Sequence, residues 1–157
     1  MRIPYLPVPI RPDFGRVFSD SPTFWRPEIK VAIAYGTAKQ KLRVLMDSGA
    51  DACLFPRDVA DILGINLKTG PCVPCTGIGG GRVQFYFHEV EFFIGQYRWK
   101  TKAGFAAGSI GATGLLGQRG FFEHFVVSFD YKNHWIELKQ SSAFQTWFSS
   151  LGHRTPS

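Results

Sequence analysis

The chain has 157 residues, 45% of them hydrophobic and 15% aromatic, with a formal net charge of +6. That length suits one domain with ample apolar surface for a core. The basic residues are spread along the chain with Asp and Glu interleaved, so the charge reads as a solvated surface and argues against a nucleic-acid-binding stripe.

The N-terminus lacks the charged-then-apolar pattern of a signal peptide, and no apolar run approaches the roughly 20 residues that span a bilayer. A soluble cytoplasmic protein with no membrane partner is therefore the default expectation. Residues 1 to 27 carry Pro4, Pro7, Pro9, Pro12, Pro22 and Pro27, a spacing read as forbidding helix and favouring an extended or polyproline arm. Apolar residues between the prolines let the arm pack on a surface. Being extended and next to a folded segment, it is also a candidate propeptide.

Ile29 to Tyr35 alternates as a strand, Gly36 opens a turn, and Lys41 to Met46 reads as the hairpin partner. After Asp47-Ser48-Gly49-Ala50, the run Ala52 to Phe55 reads as a short buried strand. A helix is predicted from Pro56 to Gly64, with Asp58 near its positive end and Val59, Ala60, Ile62 and Leu63 as its inner stripe. Pro71 to Gly81 is turn-rich. Within it, Cys72-Val-Pro-Cys75 has C-x-x-C spacing, but no second pair completes four zinc ligands and no helix start follows for redox use. An odd total of three Cys also argues against a disulfide framework. The pair is read as structural, and neither a metal nor a cofactor is expected.

Strands are predicted over Arg82 to Ile94 and Tyr97 to Phe105. A glycine-marked stretch at Gly108, Gly111 and Gly114 follows, then Leu115-Leu116-Gly117 and a short helix around Arg119 to Phe125. A hairpin from Val126 to Leu138 turns at Lys132-Asn133. Residues 142 to 151 have the spacing of a closing helix. These elements make an all-β chain with two or three short helices, its edges closing as a small barrel.

Three segments carry candidate chemistry. In Val44 to Ala50 an apolar strand runs into Asp47, then Ser48 and Gly49. A carboxylate at the end of an apolar strand calls for hydrogen bonds or a shared proton, and Gly49 permits a turn whose N–H points back at it. The alternative is an Asx-turn in which Asp47 only closes a loop. Thr76-Gly77-Ile78-Gly79-Gly80-Gly81 is either a glycine-rich hairpin tip or a flap over an extended peptide; it fits no phosphate-binding pattern. Gly114 to Gly117 is either plain core or a support beneath the Asp47 turn. Ala107 to Gly111 lacks the first glycine of a nucleophile elbow. None of the four His has a partner at metal-ligand spacing.

In this order and spacing the segments resemble the retropepsin-like aspartic proteases, most closely the bacterial members, over about residues 29 to 139. Asp47-Ser48-Gly49-Ala50 and Asp51 match the active-site loop of that family, Ile78-Gly79-Gly80 its flap tip, and Leu115-Leu116-Gly117 its second apolar-apolar-glycine signature. The resemblance implies a small closed β-barrel of the retropepsin type acting as a homodimer. It divides the chain into an arm (1–28), a protease domain (29–140) and a tail (141–157). It further implies an endopeptidase in which Asp47, Ser48 and Gly49 are catalytic. Ala50, Asp51, Gly77, Ile78, Gly79, Gly80, Leu115 and Leu116 would face a peptide or protein substrate, with Gly117 and Arg119 as support. With one Asp-Ser-Gly per chain, two chains would each lend a carboxylate to one water and share one proton. The rival reading is a peptide- or protein-binding module on the same fold.

Overall fold

Alternating apolar residues organise most of the chain into strands, and two of the short helices sit between them. The computed structural model describes residues 1–77, 80–108, 110 and 113–141; the expected helix over 142 to 151, along with Ile78 and Gly79, lies outside the described residues. Two compact units form, one from Ile29–Phe121 and one from Met1–Glu28 with the segment that follows Phe121.

The Ile29–Phe121 unit is a closed sheet. Strands β4 (Glu28–Tyr35), β5 (Ala38–Met46), β6 (Leu54–Phe55), β7 (Cys72–Thr76), β8 (Arg82–Ile94), β9 (Tyr97–Ala106) and β10 (Gly114–Leu116) run in the order β4-β5-β10-β6-β9-β8-β7, and β4 also pairs with β8. That second pairing, with Ala32 opposite Phe93 and Ala34 opposite Glu91, closes the barrel and covers the edge of β4, while β7 stays an edge strand. The short β10 lies parallel to β5 and antiparallel to β6. Side chains at alternate positions fill the interior: Ile33, Val44, Phe55, Phe92, Phe105 and Leu116 are fully buried. Phe55 is the hub, with its ring centroid 5.8 Å from those of Phe92 and Phe105.

Helix α2 (Arg57–Leu63) follows β6. Pro56 precedes its first turn with extended backbone, and Gly64 closes it at φ 70° with its N–H donating to the Ala60 and Asp61 carbonyls. Val59, Ala60 and Leu63 face the core, but Ile62 is 56% exposed. Ile62 lies about 200° round the helix from Ala60, so one stripe cannot hold both. A 3₁₀ turn at Leu67–Thr69 comes next, and the carbonyl of Leu67 accepts from the buried ring of His88 at 3.0 Å.

In the second unit, β11 (Phe125–Asp130) and β12 (Trp135–Gln140) form the expected hairpin, and β1 (Arg2–Pro4) adds to β12. Strands β2 (Leu6–Pro9) and β3 (Thr23–Arg26) pair with each other. Two expectations change here. The arm is largely extended, yet it holds a one-turn helix, α1 (Pro12–Gly15), because Pro12 occupies the helix start where a missing N–H does no harm. The helix expected around Arg119 to Phe125 is instead a series of turns with one β-bridge, Ala52 to Arg119, before β11 begins. Gly120 at φ 99° cannot continue a helix.

Phe55→Ala should lower stability by about 3–5 kcal/mol, while Ile62→Gln should move it by no more than about 0.5 kcal/mol. Urea denaturation of the two variants checks the facing of both elements.

Candidate active site

Asp47 follows the last residue of β5, where Leu116 of β10 lies opposite Met46. The pairing continues one step beyond the strand: the Asp47 N–H donates to the Leu116 carbonyl at 3.0 Å. The chain then turns tightly. The Gly49 N–H donates to Asp47 Oδ1 at 3.0 Å, and the Ala50 N–H donates to the Asp47 carbonyl at 3.1 Å. Asp47 is half-buried, and Ser48, Gly49 and Asp51 are exposed. The N–H of Gly49 points at the carboxylate as the sequence leads one to expect.

A second strip of backbone fastens the far side of this turn. The Gln118 N–H donates to the Ala50 carbonyl at 2.8 Å, the Arg119 N–H to the Asp51 carbonyl at 2.9 Å, and the Cys53 N–H to the Arg119 carbonyl at 3.1 Å. The side chain of Gln118 adds a bond from Nε2 to the Ser48 carbonyl at 2.7 Å. Gln118 therefore grips the turn twice. Sequence reasoning assigned it no role, and the one signal available was its place directly after Gly117.

Gly117 is where the two strips come closest. A Cβ on it would sit 2.3 Å from the Ala52 carbonyl oxygen and 2.7 Å from that of Ala50. Only a residue without a side chain fits between them. Gly114 is similarly confined, by the Phe55 ring at 2.6 Å and the Val44 side chain at 3.2 Å. Leu116 is fully buried and Leu115 half-buried, so the Gly114–Gly117 run is both core and support for the Asp47 turn.

The glycine-rich segment tops a hairpin. Residues Cys72 to Thr76, expected to be turn-rich, form strand β7, antiparallel to β8 with Thr76 opposite Arg82. Pro74 is tolerated because β7 is an edge strand. At the tip the Gly80 N–H donates to the Gly77 carbonyl at 3.1 Å and the Gly77 N–H to the Gly81 carbonyl at 3.2 Å, with Gly80 at φ 78°. Cys72 and Cys75 thus sit three apart on a strand and point to opposite faces, which removes them as a joint metal or redox pair. Burial first, and the Asp51 carboxylate second, push the Cys75 thiol up.

Residues 29–119 match a family described as aspartyl protease, which is more than half of the chain. Among solved structures, a retropepsin-like aspartic protease from Rickettsia conorii is similar over 69% of this chain and 88% of its own, at 18% identity and a TM-score of 0.53. That likeness concerns the fold. An EIAV protease complexed with the inhibitor HBY-793 covers 59% of this chain and 82% of its own, at 25% identity and a TM-score of 0.47. No curated protein matches.

Gly117→Ala should destabilise the protein by at least the upper end of about 1–3 kcal/mol, because the clash is with backbone that cannot rotate away. Gly77→Ala, with nothing within 4 Å of the added atom, should leave the urea midpoint nearly unchanged.

Proposed function

Because the chain belongs to the aspartyl protease family, we propose that Asp47 is its catalytic carboxylate and that the active form is a homodimeric endopeptidase. One observation carries this reading. Asp47 stands at the end of a core strand with one oxygen held by the Gly49 N–H, on a turn braced by Gln118 and Arg119. A loop-closing Asx-turn needs the first of these bonds but not the second strip of backbone.

Each chain has one Asp-Ser-Gly turn, and hydrolysis by this chemistry uses two carboxylates facing one water. A two-fold pairing brings Asp47 to the partner's Asp47. Two carboxylates that close cannot both ionise, so the pair holds one proton. The ionised member takes a proton from the water as it attacks the scissile carbonyl. The protonated member polarises that carbonyl and then supplies the proton to the leaving nitrogen. Ser48 and Gly49 hold the pair in place. An extended peptide lies across Ala50, Asp51 and Leu115, and the glycine-rich segment that starts at Gly77 closes over it and excludes water. Leu116, expected to face the substrate as well, is fully buried in the barrel core and supports the site from beneath. Gly117 and Arg119 support the turn from behind. The protease domain proposed for this chemistry spans residues 29–140, with the arm (1–28) and the tail (141–157) as separate segments of the sequence.

Purified protein offered a diverse peptide library from about pH 3 to about pH 8 should cut best on the acid side of neutral and lose activity as the shared proton leaves. Asp47→Asn should fall to background. Specific activity should also drop on dilution, as dimers separate. A folded, dimeric wild type that cuts nothing would favour the binding-module reading. Equal cleavage by wild type and Asp47→Asn would remove Asp47 from the mechanism.

A further inference from the structure

The strand that delivers Asp47 has a second face. Along β5, Val44 and Met46 point into the core, while Lys39, Lys41 and Arg43 alternate with them and are exposed. Lys30 on β4 is exposed beside them. The basic residues are separated in sequence, yet the period of the strand collects them on one side of the barrel.

These cations border a groove of about 570 Å³ lined by Lys30, Lys41, Arg43, Ala32, Leu42 and Phe93, among others. Its floor is apolar and recessed. Ala32 lies opposite Phe93 in the sheet and is buried. The Nζ of Lys39 stands 3.5 Å from the centre of the Phe93 ring, and the guanidinium of Arg98 is 5.4 Å from the same ring. Of the acids on this face, Glu91 is engaged by Arg98, whose Nη2 donates to Oε2 at 3.0 Å, Glu28 is held by Arg26 at 3.0 Å, and Glu89 is exposed further along β8. Among the described residues, Lys30, Lys39, Lys41 and Arg43 form no ion pair.

We propose that this outer face of β4 and β5 is a docking surface for an acidic polypeptide segment, distinct from the Asp47 cleft. Charge complementarity selects the occupant. Cations on alternate residues of a strand stand about 6.8 Å apart, so Lys39, Lys41 and Arg43 form a row too long for a single carboxylate or phosphate. An extended chain carries its alternate side chains at the same interval, so acidic residues can meet the row in register. Its apolar side chains can cover Ala32 on the floor of the groove.

Two other polyanionic surfaces fit less well. Single-stranded nucleic acid gains its affinity by stacking bases on open aromatic faces, and the ring of Phe93 is capped by Lys39. An anionic bilayer is held by apolar side chains that protrude beyond the cations, and here they lie beneath them.

The test is fluorescence anisotropy with the full chain in the Asp47→Asn form, so that binding is read without cleavage and stands apart from the protease assignment. The probe is a labelled peptide of mixed Glu, Asp and Leu. It should bind, weaken as salt is raised, and bind about tenfold or more tightly than its Gln and Asn counterpart. The combined change Lys39→Glu, Lys41→Glu and Arg43→Glu should weaken it by about tenfold or more. Lys41→Glu alone should weaken it measurably if the triple variant does not fold. Equal binding by the amide peptide, or by the charge-reversed protein, would overturn the proposal. So would a labelled oligothymidylate, or phosphatidylserine vesicles, binding more tightly than the peptide at the same ionic strength.

Discussion

The approach of Gly117 to the carbonyls of Ala50 and Ala52 is the constraint on which the site depends. Two loops that would otherwise each face solvent pass within contact of one another, and four backbone bonds join them. Asp47 is therefore oriented by main chain on both sides. Main-chain bonds of this kind do not require burial of the carboxylate, which leaves it partly exposed to solvent while its position stays fixed. The strength of the arrangement is that no single side chain carries it. Gln118 adds one bond from its side chain, but its N–H already belongs to the ladder.

Barrel closure sets the second condition. Strand β8 is 13 residues long and pairs with β9 from Phe85 to Ile94, near one end with β4 and near the other with β7. Its closed end is core: Val90, Phe92 and Ile94 are buried. Its other end leaves the barrel with only β7 beside it, and most of β7 is exposed. One strand thus joins a well-buried region to a weakly buried one.

Much of this was legible in the sequence, and the failures are instructive. Alternation revealed β4, β5, β8, β9 and the last hairpin because each has one buried and one exposed face. The Asp-Ser-Gly turn, the Gly-rich tip and Leu115-Leu116-Gly117 were visible as residue types that need special backbone. Strand β7 was hidden by Pro71, Pro74 and two cysteines, residues that signal turns unless the strand is an edge. The segment from Arg119 looked helical because Phe121, Phe122 and Phe125 have helical spacing. Its backbone, however, is committed to Ala52, Asp51 and Cys53, and tertiary pairing overrides local period. The grip of Gln118 was not legible, since a hydrogen bond to a carbonyl 70 residues away leaves no local pattern. The basic face was missed for the same reason: its members come from separate strands, and a search for runs of charge cannot find a surface assembled by pleating.

The three cysteines end in three different environments. Cys53 is buried, Cys75 is half-buried with its thiol pushed up, and Cys72 is exposed near the start of the hairpin. Thiolate is the form that reacts with alkylating reagents; burial shields Cys53, the raised proton affinity of Cys75 disfavours its thiolate, and exposure puts Cys72 first. The chain thereby contains its own attachment point for a spectroscopic label, placed on strand β7 and facing away from Cys75.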